Sequence, residues 1–125
     1  MTGQKLPNNP ENLTEQEICS LLAEEVMKFL YADGAYYLDN ENGDYYCEVE
    51  DWQPTQNIEQ VIECAEKWCR DGKRAVTLDY DAERKGWIVD LWDCELPVVQ
   101  NSQDKKLSLA ITNALLEERK NDKNR

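Results

Sequence analysis

The sequence predicts an α+β fold: an antiparallel sheet of about four strands, formed by two hairpins, with three helices packed on one or both faces. Three segments repeat apolar residues at the spacing of an amphipathic helix. Between them lie two pairs of short runs rich in aromatic and β-branched residues. Helices and hairpins that alternate in this way typically pack as layers around one core, which gives a sandwich.

The first helix is predicted to begin at Thr14 and to end at Asp33-Gly34. Thr14 and Glu17 have the spacing of a capping box, in which each side chain bonds the backbone amide of the other residue. A glycine just after the last turn is typical of a helix end. The predicted buried stripe consists of Ile18, Leu21, Leu22, Val26, Phe29 and Leu30.

Two hairpins follow from the strand and turn signals. The first pairs residues 35–38 with 45–49, because the Asn-Gly pair at 42–43 is a strong turn signal. The second pairs 74–80 with 87–92. Its second strand is apolar on both faces apart from one aspartate, which indicates an interior strand or a covered sheet.

Two more helices complete the predicted domain. Asn57 is a good cap for the second, which closes at Asp71-Gly72. Residues 96–103 are predicted to be a connector, after which Ser102 or Asp104 caps the third helix. The predicted buried residues of the two helices are Ile58, Val61, Ile62, Ala65, Trp68, Cys69, Leu107, Ala110, Ile111, Ala114 and Leu115.

The length and composition predict one domain with two loose ends. At 125 residues the chain fits a single domain, expected over 13–116, with a flexible N-terminal arm over 1–12 and a charged tail over 117–125 that frays. No apolar run approaches the roughly 18 residues of a membrane span. The polar start lacks the apolar core of a signal peptide, so we expect a cytoplasmic protein.

The charge is distributed unequally along the chain. Residues 11–66 hold fifteen acids and one base, Lys28, whereas residues 67–125 hold eleven acids and twelve bases. The net charge of the whole chain is −12. A surface this acidic repels nucleic acid and anionic lipid and attracts cationic partners. We therefore expect a protein partner with a basic surface, no direct nucleic-acid binding and no membrane association.

The residues that usually carry chemistry are few. The chain has no histidine, which removes the usual general base near neutral pH and the Ser–His and Cys–His nucleophile pairs. Its five cysteines are odd in number, irregularly spaced and without a CxxC motif, so we expect reduced thiols and no zinc site. No cofactor and no enzymatic activity are expected.

The pattern resembles small phage and prophage proteins that carry the phage ABA sandwich domain. The residues that carry the resemblance span 45–116: the turn and helix start Trp52-Gln53-Pro54-Thr55-Gln56-Asn57-Ile58, the 74–80/87–92 hairpin, and the closing helix Leu109-Ala110-Ile111-Thr112-Asn113-Ala114-Leu115. The resemblance implies a phage or mobile-element origin, a three-layer fold and accessory functions such as countering host defence. It brings no catalytic residues with it.

The strongest candidate for partner binding is the segment 44–52. If it is a strand, Tyr46, Glu48 and Glu50 face one way and form an acidic ladder beside aromatic rings, which suits arginine or lysine side chains. The alternative is a solvated strand face with the aromatic rings in the core. The candidate partner-binding residues are Asp44, Tyr46, Glu48, Glu50, Asp51 and Trp52.

A second candidate site lies in the other half of the chain. Trp87 and Trp92 would form an aromatic wall and Arg74 an anion anchor of a ligand pocket, although core tryptophans are the commoner explanation. Asp90 has apolar neighbours, so if it is buried it needs a partner such as Arg74 or Arg84.

Carboxylate pairs are a third candidate. Glu48 with Glu50, or Asp79 with Asp90, would suit a metal or acid–base chemistry. Chains this acidic produce such pairs by chance, so we predict no site there.

Two functional hypotheses follow. In the first, a non-enzymatic phage-type accessory protein inhibits a host defence protein through its acidic half, with DNA mimicry as one version. In the second, an oligomeric protein sequesters a small nucleotide signal of host immunity in pockets built from tryptophan and arginine.

Overall fold

The computed structural model describes residues 13–123, and the side chains of residues 13–121 among them. The predicted N-terminal arm over 1–12 lies outside the described residues. The α+β class is confirmed, with two three-stranded antiparallel sheets in place of one sheet of four. The helices are α1 (Glu15–Leu21), continued by a π-helical segment (Leu22–Val26), α2 (Ile58–Arg70) and α3 (Leu107–Lys123). The strands are β1 (Leu30–Ala32), β2 (Ala35–Tyr37), β3 (Tyr45–Glu48), β4 (Arg74–Asp81), β5 (Gly86–Asp93) and β6 (Leu96–Asp104).

The first helix begins as predicted and ends earlier. Thr14 and Glu17 form both bonds of the capping box. The π-helical segment then closes at Lys28, which has a φ of 60°, and the Phe29 amide turns back to donate to the Ala23 carbonyl. The predicted end at residues 33–34 is therefore wrong, because lysine at a left-handed position gives no sequence signal.

Asp33 and Gly34 instead form the turn of an additional hairpin. They have φ values of 50° and 76° and join Ala32 to Ala35, the last pair between β1 and β2. Positive φ at both central residues is the geometry of a tight two-residue turn that Asp-Gly favours. β1 takes in Leu30, which was predicted to be core and is 50% exposed.

The second sheet has the order β4-β5-β6, so β5 is the interior strand that the sequence predicts. The prediction of a connector over 96–103 is wrong, because β6 occupies this segment and pairs with β5. Arg74 on β4 stacks over Trp68 of α2, and the Ser102 hydroxyl on β6 donates to Ala110 of α3. Because Arg74, Ser102 and the buried Val89 and Leu91 share one face of the sheet, both helices pack on that face.

The last helix extends beyond its predicted end. α3 reaches Lys123, and the side chain of Glu118 is only 2% exposed. Arg119 pairs with Glu25 of the π-helical segment at 3.3 Å. The helix therefore stays packed past residue 116, where a fraying tail was predicted. Ahead of it, Asp104 accepts a hydrogen bond from the Lys106 amide.

One core joins the two sheets through α2. Glu63 on one side of α2 bonds Tyr46 of β3, while Trp68 packs under Arg74 of β4. Of the predicted α2 stripe, Ile58 is exposed, and Cys64, which was not predicted, is fully buried. No helix within residues 13–123 is long and apolar enough to cross a membrane. The buried core comprises Ile18, Cys19, Leu22, Ala23, Val26, Phe29, Tyr36, Trp52, Val61, Cys64, Ala65, Trp68, Val89, Leu91, Val99, Ala110, Ile111, Ala114, Leu115 and Leu116.

Candidate functional site

An acidic hollow of about 770 Å³ lies between α1, the β1–β2 turn and the segment that follows β3. Four carboxylates line it, and no lysine or arginine does so among the described residues. The complete lining is Glu15, Gln16, Cys19, Ser20, Tyr31, Asp33, Gly34, Tyr36, Glu48, Val49, Glu50, Trp52, Gln53 and Gln56.

A second hollow, of about 580 Å³, continues the first toward the start of α2. The two share Glu50, Gln53 and Gln56, and the second adds Asp51 and Glu59 to the carboxylates. We call the two hollows together the acidic groove. Its six carboxylates belong to Glu15, Asp33, Glu48, Glu50, Asp51 and Glu59.

Trp52 anchors the floor of the acidic groove. Its side chain is 2% exposed, and its ring meets Phe29 edge-on at a centroid distance of 5.1 Å. The indole Nε1 donates to the Cys19 carbonyl oxygen at 2.9 Å, so the polar atom of the ring is satisfied inside the core. Trp52 therefore fixes the loop after β3 against α1 and is not free to contact a partner with its whole ring.

The loop after Trp52 is hydrogen-bonded both to α1, the first helix, and to α3, the last helix of the described residues. The Thr55 hydroxyl and the Gln56 amide donate to Oε1 of Glu15 at 2.7 and 2.6 Å. The Ser108 hydroxyl of α3 donates to the Thr55 carbonyl oxygen at 2.8 Å. Hydrogen bonds from Thr55 and Gln56, with a smaller contribution from Lys106, hold the pKa of Glu15 below its ordinary value of 4.5. The carboxylate of Glu15 therefore lines the groove and also links α1 to the loop after Trp52.

This link makes the stability of the fold depend on pH. Since the folded pKa of Glu15 is depressed, its contribution is complete above the unfolded pKa of about 4.5 and is lost as pH falls through the folded value. We expect Glu15→Gln to lower the free energy of unfolding at pH 7 and to flatten its fall below about pH 4.5. Urea unfolding at several pH values measures this. Glu24→Gln, an exposed acid of the same helical region, is the matched control, and an equal flattening in it would contradict the assignment.

The predicted acidic ladder is wrong in its geometry. Tyr36 lies opposite Cys47 and Tyr37 opposite Tyr45, so Tyr46 is the extra residue of a bulge. β3 then ends at Glu48, and residues 49–51 form a 3-10 turn. Alternation along one strand therefore does not bring Tyr46, Glu48 and Glu50 to one face.

Four of the six predicted partner-binding residues nonetheless line the acidic groove: Glu48, Glu50, Asp51 and Trp52. Tyr46 does not line it, since it packs on Phe29 at 4.6 Å and donates its hydroxyl to Glu63. Burial, and then this bond to Glu63, raise the pKa of Tyr46. Asp44 lies in the loop before β3, where its carboxylate accepts from the Asn40 amide at 3.1 Å.

The sequence analysis missed the other carboxylates of the groove. Glu15, Asp33 and Glu59 come from α1, the β1–β2 turn and the start of α2. The only sequence signal that pointed to them is the excess of acids over residues 11–66. Charge counting identifies the half of the chain but not the residues that the fold brings together.

The second candidate site is brought together only in part. Arg74 and Trp92 line a hollow of about 430 Å³ with Lys73, Ala75, Thr77 and Glu95. Trp87 lies on the face of the sheet opposite to Trp92, where its ring meets Tyr80 edge-on at 5.3 Å, so the predicted pair of tryptophans does not form one wall.

Nor are the charged groups of this half arranged as predicted. Arg74 stacks over Trp68 at 4.9 Å and pairs with Asp93 at 3.4 Å. Asp90 accepts from the Asn101 backbone amide at 2.7 Å and needs no arginine partner. Within residues 13–121, no group of three or more acids or cysteines is placed to hold a metal ion.

Comparison with known proteins places this fold in a family. A family model of the phage ABA sandwich domain matches residues 20–116. The structure is similar to a phage protein from Bacillus cereus ATCC 14579, known from a 2.0 Å crystal structure. The TM-score is 0.58 at 15% identity, over 90% of this chain and 99% of that one, a likeness of fold alone. No curated protein matches the chain. Because the family model covers most of the sequence, the chain belongs to the phage ABA sandwich family.

Proposed function

We propose that this chain is a non-enzymatic phage accessory protein that binds a host defence protein in the host cytoplasm and inhibits it. The binding site is the acidic groove, and its ligand is a lysine- or arginine-rich segment of the host protein. The observation that carries the proposal is that six carboxylates line two adjoining hollows whose described lining contains no lysine or arginine.

The physical basis is the electrostatic potential of like charges that line a hollow. Carboxylates along a concave surface with low-dielectric walls add their potentials and attract cations more strongly than the same charges on a convex surface. Tyr31, which is 63% exposed at the rim, offers a ring face for a guanidinium or ammonium group. The Glu48 carboxylate is held in place by a hydrogen bond from the Tyr45 hydroxyl at 3.0 Å.

The concavity also favours one version of the hypothesis. A DNA mimic presents its carboxylates on a convex surface that enters a basic groove, as a duplex does. Here four of the carboxylates line an open hollow that can admit a protruding cationic segment, which favours a cationic peptide ligand over DNA mimicry.

The experiment is capture of host lysate proteins on immobilised chain at low and at high salt, beside a variant with neutralised groove residues. We expect basic proteins to bind at low salt, to elute at high salt and to be lost from the variant, because exposed ion pairs are screened by salt. Capture that is equal at both ionic strengths and in both proteins would rule out the groove as the site.

A second function is supported by the hollow beside β4. Lys73 supplies positive charge there, beside the carboxylate of Glu95, and Trp92 supplies an aromatic surface, a combination that suits the phosphate and base of a nucleotide. Sequestration of a nucleotide signal of host immunity is the function that this site would serve.

Thermal shift with a panel of nucleotides tests this second function. We expect a rise in melting temperature that Trp92→Ala and Lys73→Ala abolish, because a ligand stabilises only the state it binds. Tyr80→Ala is the matched control, since Tyr80 is exposed on the opposite face of the sheet. The absence of any shift across the panel would exclude this function.

A further inference from the structure

β4 is an edge strand with no partner on its outer side among the described residues. All eight of its residues pair in regular register with β5, without a bulge or a proline. Leu78 is 39% exposed and Tyr80 is 54% exposed. A long, regular edge with exposed apolar side chains is a template for another strand, and soluble proteins usually protect such edges.

The unpaired backbone groups of this edge can be assigned. The Cys94 amide donates to the Lys73 carbonyl oxygen at 2.9 Å, so the pair 73–94 is a hydrogen-bonded pair of the ladder. Hydrogen-bonded pairs alternate with non-bonded pairs along an antiparallel ladder. The backbone groups of Ala75, Thr77 and Asp79 therefore point to β5, and those of Arg74, Val76, Leu78 and Tyr80 point outward.

We infer that two copies of this chain associate through β4, antiparallel about a two-fold axis at Thr77, and so form one continuous six-stranded sheet. Each Val76 then pairs with Leu78 of the second copy, and each Arg74 with Tyr80 of the second copy. These are the residues whose backbone groups point outward, so every pair can exchange two hydrogen bonds. These pairs also cover Leu78 and Tyr80, the exposed large apolar side chains of the edge.

Charge complementarity supports this partner and this register. On the opposite face of the joined sheet, Lys73 lies beside Asp81 of the second copy, twice by symmetry, and the two Thr77 side chains meet at the axis. If the two-fold axis lay one residue further along β4, at Leu78, the same faces of the two sheets would still adjoin. Lys73 would then no longer lie opposite Asp81 of the second copy, so both ion pairs would be lost. An axis at Val76 pairs Lys73 with Asp79 of the second copy, but it places Tyr80 opposite position 72, outside the strand, so that Tyr80 stays uncovered.

The distribution of charge along the chain fits the same arrangement. β4 belongs to the half of the chain whose net charge is +1, so two such surfaces meet without the repulsion that the −14 half would produce. The residues of the acidic groove lie outside β4, so the inference stands or falls independently of the first proposed function. The hollow of the second function shares Lys73, Arg74, Ala75 and Thr77 with this edge.

Sedimentation of the full chain is the first test. We expect a dimer at micromolar concentration and a monomer for Leu78→Pro, because proline removes an outward-pointing amide while the bonds to β5 remain. Circular dichroism of the variant shows whether it has folded. A wild-type monomer at these concentrations, or a folded Leu78→Pro variant that remains a dimer, would overturn the inference.

Disulfide trapping provides the second test and fixes the register, in a Cys94→Ser background that removes the exposed native thiol. Residues at a non-bonded pair have Cα atoms about 4.5 Å apart, within disulfide range. Thr77→Cys alone is expected to cross-link on mild oxidation. Ala75→Cys and Asp79→Cys are expected to cross-link only when mixed, since each lies opposite the other. Cross-linking of Ala75→Cys with itself, or none in any variant, would contradict the proposed axis.

Discussion

Replacing Trp52 with alanine is expected to lower the free energy of unfolding by about 3–5 kcal/mol, the usual cost of removing a fully buried aromatic side chain. The ring contacts Phe29 and Tyr46 edge-on, at centroid distances of 5.1 and 6.0 Å. Its removal leaves a cavity between α1 and the loop after β3. It also leaves the Cys19 carbonyl oxygen without the hydrogen bond that the indole donates.

Urea denaturation measures this loss, and two further variants separate its causes. Trp52→Phe keeps an aromatic ring in the core but removes part of the packing and the bond to Cys19, so a smaller loss of about 1–3 kcal/mol is expected. Trp92→Ala removes a half-buried tryptophan that bonds Thr77 at 3.3 Å and should cost less than Trp52→Ala. Equal losses at positions 52 and 92 would show that Trp52 is not the anchor described above.

Neutralising three carboxylates of the acidic groove should weaken binding of a cationic partner by about 3- to 150-fold at low salt. The variant is Glu48→Gln, Glu50→Gln and Asp51→Asn combined. Exposed ion pairs contribute about 0.2–1 kcal/mol each, so three of them together account for roughly 0.6–3 kcal/mol, or about 3- to 150-fold in Kd. The fold should be unaffected, since all three residues are exposed and the substitutions keep their shape.

The control for this variant has the same change in net charge outside the groove. Glu24→Gln, Asp39→Asn and Glu41→Gln neutralise three exposed acids that do not line either hollow. Titration of an arginine-rich peptide at several salt concentrations compares the two. We expect the groove variant to lose affinity and salt dependence, and the control to change little. If both lose the same affinity, the net charge of the chain is responsible and the groove is not the site.

The helices and strands that the sequence predicted well have capping or turn residues that mark where they begin and end. α2 is capped by Asn57, whose side chain accepts from the Glu59 and Gln60 amides as expected. The β4–β5 hairpin follows from alternation and a clear loop. β6 was missed because Pro97 and a polar run over 100–103 hide its alternation. The end of α1 was missed because Phe29 and Leu30 continue the helical spacing beyond the point where the backbone turns.

The candidate site was predictable only in part, for a geometric reason. Glu48, Glu50 and Asp51 are neighbours in sequence and remain neighbours in the groove. Glu15 and Asp33 join them only because the Thr55 loop is tied to α1 and the β1–β2 turn folds over it. Contacts between residues about 15 to 40 positions apart are set by tertiary packing, which local patterns do not encode.

The bond from Ser108 to the Thr55 carbonyl has a consequence for synthesis of the chain. The loop that carries the groove is held from one side by α1 and from the other by α3, which is synthesised after all the other described elements. Ile111 and Leu115 of that helix are also fully buried in the shared core. A nascent chain that lacks α3 exposes this core, so we expect the N-terminal half to gain its final shape only after α3 has been synthesised.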